Sequence, residues 1–248
     1  MKEILLEKLK LFNDSSFVFD PIKHKYTHDG EDYISVTTYI EKFHKPFETQ
    51  YLSLKVAQRR GIPQQWVLNE WKEINDYANL IGSETHNWIE NYFRKIWTPL
   101  PTNLDIIHRI NKFNKIYATK MYKLEPLAFE VRIFSKKWRI AGMLDALFIY
   151  RDQLFIIDYK TNKEFITDSN IKYPERLRYP FDSYYKTHLN EYSIQVSLYA
   201  LILKEWGINV SGGYLVYIGP GDDDAQMFKC ENMTSLLEEY LNSERNFL

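Results

Sequence analysis

The spacing of apolar residues along the chain changes character after Met121. Between Thr49 and Met121 they recur with a helical period; beyond it come three dense apolar runs, "LAFEVRIFS", "RIAGMLDALFIY" and "QLFIIDYKT". The period predicts helices over 49–97, broken at Gly61-Ile62-Pro63, and over 103–121, with Pro99 and Pro101 holding a loop between them. The runs read as three consecutive strands, the last two joined at Arg151-Asp152. Upstream, "FVFDPIKHKYTHDGEDYISV" alternates like a β-hairpin that turns at Asp29-Gly30. Thr38 and Glu41 have capping-box spacing and predict a short helix ending before Pro46. Downstream, a polar, aromatic-rich stretch over 162–188 precedes a strong helix, "NEYSIQVSLYALILKEW". "SGGYLVYIGP" reads as a strand, "QMFKCEN" as another, and the tail from Thr234 as a helix. This order predicts an α/β fold, a central mixed β-sheet flanked by helices.

Composition narrows the class. At 45% hydrophobic over 248 residues the chain has ample core material, and no run approaches the roughly 18 apolar residues of a membrane span. The opening "MKEILLEKLKLFNDSS" looks like a short amphipathic helix and lacks a signal-peptide pattern. A single cysteine, Cys230, makes no internal disulfide, so a reducing, intracellular and cytoplasmic setting is expected. A net charge of −1 means that any polyanionic partner is met by a local patch.

Within the apolar runs, Asp145, Asp158 and Lys160 are out of place. If Arg151-Asp152 is the turn, Tyr150 faces Gln153, and the same count sets Asp145 across from Asp158, with Lys160 on the Asp158 face. Two opposed carboxylates repel: either one stays protonated or a cation sits between them. Mg²⁺ favours such oxygen ligands and can polarise a phosphoryl oxygen, while a nearby ammonium offsets transition-state charge. The other reading is a buried Asp–Lys ion pair with Asp145 incidental.

These residues resemble the PD-(D/E)XK nucleases, specifically their RecB-like branch. The resemblance runs in order over about residues 80–200: "GSETHNWIENYF" with Gly82 and His86, then Gly142 and Asp145, then Asp158-Tyr159-Lys160-Thr161, then Gln195 and Tyr199. "HKYTHDGEDYISVTTYI" is more weakly similar to the leader of phage-type exonucleases and the mitochondrial genome maintenance exonuclease. The resemblance implies a restriction-endonuclease-like core over 80–218, with an N-terminal hairpin and helical arm over 1–79, a C-terminal strand and helix over 219–248, and the whole as one nuclease domain. It implies Asp145 and Asp158 as metal-binding carboxylates, Lys160 as the catalytic lysine and His86 as a further metal ligand. Gln195 and Tyr199, one helical turn apart, would contact DNA or support the metal shell, with Thr161 beside them. Glu130 is either another acidic site residue or an outward strand glutamate. Leu144 stands where the superfamily's motif has proline, and the cysteines of the iron–sulfur members are missing, so no such cluster is expected.

The expected activity is Mg²⁺- or Mn²⁺-dependent hydrolysis of DNA, as an exonuclease on single-stranded ends. The alternatives are an endonuclease on the same core and a non-catalytic nucleic-acid-binding module. Two stretches are candidates for holding the strand: the basic tract from Arg109 to Arg139, and "KYPERLRYPFDSYYKTHLNEY", where cations alternate with rings on which bases stack.

Overall fold

A computed structural model describes residues 1–21, 23 and 25–245. Ile22 and His24, inside the expected hairpin, and residues 246–248 of the expected C-terminal helix lie outside the described residues. The N-terminal helix α1 (Lys2–Leu9) leads into three short strands, β1 (Phe17–Asp20), β2 (Lys25–His28) and β3 (Glu31–Ser35). The expected single hairpin is thus a three-stranded meander. Its second turn is at Asp29-Gly30, where both residues take positive φ, 52° and 79°, as a two-residue hairpin turn requires. Ser35 ends β3 and caps α2 (Val36–Ile40) by accepting from the Thr38 N–H at 3.0 Å. The expected cap, Thr38, is inside the helix because the strand runs directly into it.

Helix α3 (Thr49–Arg60) stops at Gly61, which takes a left-handed φ of 64°, and α4 (Gln64–Arg94) starts after Pro63. Next come α5 (Leu104–Ile116), which passes into one wide helical turn over 117–121, and the long strands β4 (Glu125–Ser135), β5 (Ile140–Tyr150) and β6 (Gln153–Lys160). Arg151 and Asp152 both have positive φ and form the β5–β6 turn, so Tyr150 pairs with Gln153 as the count requires. Helix α6 (His188–Glu205), β7 (Gly212–Tyr217), β8 (Gln226–Lys229) and α7 (Thr234–Arg245) complete the chain.

The strands make one eight-stranded mixed sheet in the order β1-β2-β3-β5-β6-β7-β8, with β4 along the other side of β5. Helix α6 and its apolar neighbours cover one face, with Leu147, Ile156 and Leu215 beneath them. Ile89 of α4 and Phe113 of α5 cover the other, over Phe148, Ile157 and Val216. The arrangement is the expected α/β sheet between helical layers. Among the described residues, no helix is long and apolar enough to cross a membrane.

One irregularity positions the site. Strands β3 and β6 share the same edge of β5: β3 pairs in parallel at Ile140 and Ala141, and β6 pairs antiparallel from Ala146 to Tyr150. Between these ladders, residues 142–145 form a fork with no strand partner on that edge.

Candidate active site

Asp145 is at the mouth of the fork. The count sets it across from Asp158, but the ladder ends one pair earlier, at Ala146 and Ile157. The Tyr159 N–H donates instead to Asp145 Oδ2, at 2.7 Å. On the other side of β5 the β4 ladder skips the same level: Phe129 pairs with Ala146 and Val131 with Leu144, while Glu130 between them has a φ of 48°. A glutamate rarely adopts that conformation, and it marks a local kink where the ladder is interrupted.

The kink and the fork bring together residues from three elements. His86, on the inner face of α4, has its Nδ1 3.4 Å from Asp145 Oδ2 and its ring 6.0 Å from that of Tyr159, edge to face. One ligand atom each from His86, Glu130 and Asp145 lie within 4.8 Å of one another. Asp158 is not in that trio. It is buried, with Lys160 Nζ 2.8 Å from its Oδ2, yet that oxygen lacks a hydrogen-bond partner of sound geometry.

Lys160 is held from three directions: by Asp158, by Gln195 Oε1, to which it donates at 3.1 Å, and by the Tyr192 ring, whose centroid is 3.9 Å from Nζ. Gln195 is fixed in turn, because its Nε2 donates to the Tyr199 hydroxyl at 2.9 Å, which donates to the Met143 carbonyl at 3.0 Å. That carbonyl is in the fork, so Tyr199 satisfies a backbone group that the missing strand leaves open. The approach needs Gly142, where a Cβ would fall 2.8 Å from the Tyr199 ring and 3.0 Å from Val36. Gly82 serves similarly on α4, where a Cβ would be 3.3 Å from Thr161 Oγ1.

The electrostatics follow from the packing. Burial pushes Glu130 up to about 7, reinforced by the charge of Asp145. Burial disfavours a charged His86 ring, but the facing Asp145, together with Glu130 and Asp158, outweighs it and lifts the pKa to about 9. Burial would raise Asp145 too; His86, Lys160 and the Tyr159 N–H together hold it below the usual carboxylate range. Asp158 rises to about 6 because burial exceeds the pull of Lys160, with Asp145 adding to the rise. A carboxylate pair facing an imidazole, beside the buried Asp158, is a donor set that a divalent cation would satisfy.

All the residues singled out in the sequence, His86, Glu130, Asp145, Asp158, Lys160, Thr161, Gln195 and Tyr199, are at or next to this fork. The cations of the basic tract differ in setting: Lys120, Lys123, Arg132, Lys136 and Lys137 are exposed, and others are buried or paired. Arg109 is buried, Lys115 pairs with Asp224 at 2.6 Å and Arg139 with Glu31 at 2.9 Å. The aromatic stretch is packed rather than open: Phe181 is in the core against Phe43, and Arg176 lies over the Tyr185 ring at 4.0 Å, although Tyr173 and Tyr179 remain exposed. Sequence reasoning missed Tyr192 and Asn162, whose Nδ2 donates to the Tyr192 hydroxyl at 2.8 Å. Tyr192 was findable, since it is one turn before Gln195 on α6.

Comparison with known proteins shows the family. The sequence profile of the PD-(D/E)XK nuclease superfamily matches residues 38–241. The RecB subunit of the RecBCD enzyme of Buchnera aphidicola subsp. Baizongia pistaciae (strain Bp) is 24% identical over 172 residues, covering 66% of this chain and 13% of that protein. The chain therefore spans a small part of that relative, and the similarity supports the RecB-like branch. A protein of Eubacterium rectale described as an exonuclease superimposes with a TM-score of 0.42 at 12% identity, over 67% of this chain and 62% of that one. With a profile match spanning most of its length and the expected motifs gathered at one fork, the chain belongs to the PD-(D/E)XK nuclease superfamily.

Proposed function

We propose that the chain is a deoxyribonuclease dependent on Mg²⁺ or Mn²⁺ that hydrolyses single-stranded DNA from its ends. The observation that carries the reading is the meeting of His86, Glu130 and Asp145 with an ammonium, Lys160, held on the neighbouring strand. His86, Glu130 and Asp145 would hold a divalent ion, with Asp158 beside them. Such an ion supplies Lewis-acid polarisation of the phosphoryl oxygen and a more acidic water.

The chain's own groups do the rest. Lys160, pinned by Asp158, Gln195 and Tyr192, presents a fixed positive charge where negative charge grows on the phosphate. Gln195 and Tyr199 keep that ammonium from swinging, since their hydrogen-bond chain ends on a backbone carbonyl. Asp158 keeps Lys160 protonated: burial alone would lower its pKa, but the ion pair raises it.

End dependence rests on the resemblance of the N-terminal segment to exonucleases. Endonucleolytic cutting is the second reading: a second cavity, which Glu130 also lines and which reaches α1, leaves room for a strand on both sides of the trio. The test uses end-labelled linear and circular single-stranded DNA with Mg²⁺ or Mn²⁺, wild type beside Asp158→Ala. Loss of linear DNA with circles intact supports the exonuclease; nicked circles support the endonuclease. No metal-dependent cleavage of either would overturn both.

A further inference from the structure

A cavity of about 560 Å³ opens beside His86 and Asp145, between α4 and the end of β6. Its helical wall presents Asn75, Asn79, Ser83 and Asn87, and Asn162 faces them from the β6 end. Apart from Glu90 and the metal-binding trio at one end, this lining is uncharged, and no lysine or arginine lines it among the described residues. It therefore offers a phosphate backbone no cation to offset its charge. It is the right chemistry for nucleobase edges, because an asparagine amide donates and accepts at once, as base edges do.

Two further observations point the same way. Asparagine is a poor helix former, and an exposed helix face is served better by lysine, glutamate or glutamine. Yet Asn75, Asn79 and Asn87 follow one another at whole-turn spacings along the exposed side of α4. Their amides are also available. Those of Asn75 and Asn79 have no hydrogen-bond partner among the described residues, and Asn87 engages only its Oδ1, as acceptor from Asn91 at 3.3 Å.

We infer that this amide-lined cavity is a base-reading subsite: it takes the unpaired base of a nucleotide next to the scissile phosphate, through hydrogen bonds from Asn75, Asn79 and Asn87. The inference rests on the nuclease reading and deepens it. A base can enter only when its hydrogen-bonding edge is free, so the subsite selects single-stranded over duplex DNA. It contributes to binding and leaves the chemical step to the trio and Lys160.

The test combines a triple variant with a change in the substrate. Single-stranded oligonucleotides carrying an abasic tetrahydrofuran at successive positions around the cleavage point are compared with intact ones, for the wild type and for Asn75→Ala/Asn79→Ala/Asn87→Ala. Alanine favours the helix, so the variant keeps its fold, and its thermal melt checks this. The expected result is a KM raised about fivefold or more for wild type at one abasic position, with kcat little changed. The triple variant should show that raised KM on intact DNA and no further penalty for the abasic site. Equal KM values for intact and abasic DNA in the wild type, or the same abasic penalty in both proteins, would overturn the subsite while leaving the nuclease intact. Failure of the wild type to cut any substrate would overturn the nuclease reading and the subsite with it.

Discussion

Asp145 Oδ2 takes the backbone N–H of Tyr159 at 2.7 Å, so one carboxylate both closes a gap in the sheet and faces the His86 ring. The two roles are separable. Asp145→Asn keeps an oxygen for the N–H and loses the charge, whereas Asp145→Ala also leaves a buried donor unpaired, at a cost of about 1–3 kcal/mol. Both variants should lose metal-dependent cleavage, and urea denaturation should find the alanine variant the less stable.

Gly142 is the contact point between the fork and α6. In Gly142→Ala the new methyl would meet the Tyr199 ring at 2.8 Å and Val36 at 3.0 Å. The expected cost is about 1–3 kcal/mol. A displaced Tyr199 would also release Gln195, so kcat should fall more than KM rises in steady-state assays.

The buried pair of Lys160 and Asp158 is predicted to be coupled. Lys160→Met leaves a carboxylate that is 2% exposed without its cation, which should cost about 3–5 kcal/mol. Adding Asp158→Asn should restore much of that stability without restoring cleavage. Chemical denaturation of the two singles and the double measures the coupling.

The pH dependence has a definite sign. Asp158, Glu130 and His86 all have folded pKa values above the ordinary ones, at about 6, 7 and 9. Each favours folding while protonated, and that contribution is lost as pH rises through its folded pKa. Chelator-treated protein should therefore melt at progressively lower temperature from about pH 5 to pH 9. Mn²⁺ needs the deprotonated ligands, so the Tm gain on adding it should grow over the same range. A Tm gain that shrinks with rising pH in differential scanning fluorimetry would count against these ligands.

What was legible in the sequence was local. The Gly61-Ile62-Pro63 break, the Arg151-Asp152 turn and the pairing of Tyr150 with Gln153 all follow from residues near one another in the chain. What was not legible depends on distant partners. Nothing near Ile34 says that β3 will pair with Ile140, and this pairing creates the fork. Glu130 gives no local sign of positive φ, because glutamate has no intrinsic preference for it. The ion pairs of the basic tract were not legible either, because the counter-charges, Asp224 for Lys115 and Glu31 for Arg139, are far away in sequence.

The dependence of Met143 on Tyr199 also bears on the order in which the protein is made. Strands β4, β5 and β6 leave the ribosome before α6, so a growing chain can build its meander and still have an unsatisfied carbonyl at the fork and an untethered Lys160. Cutting power should therefore arrive only when α6 has been synthesised. Ribosome-stalled chains ending at Lys186 are expected to leave single-stranded DNA whole, and those long enough to include α7 to degrade it.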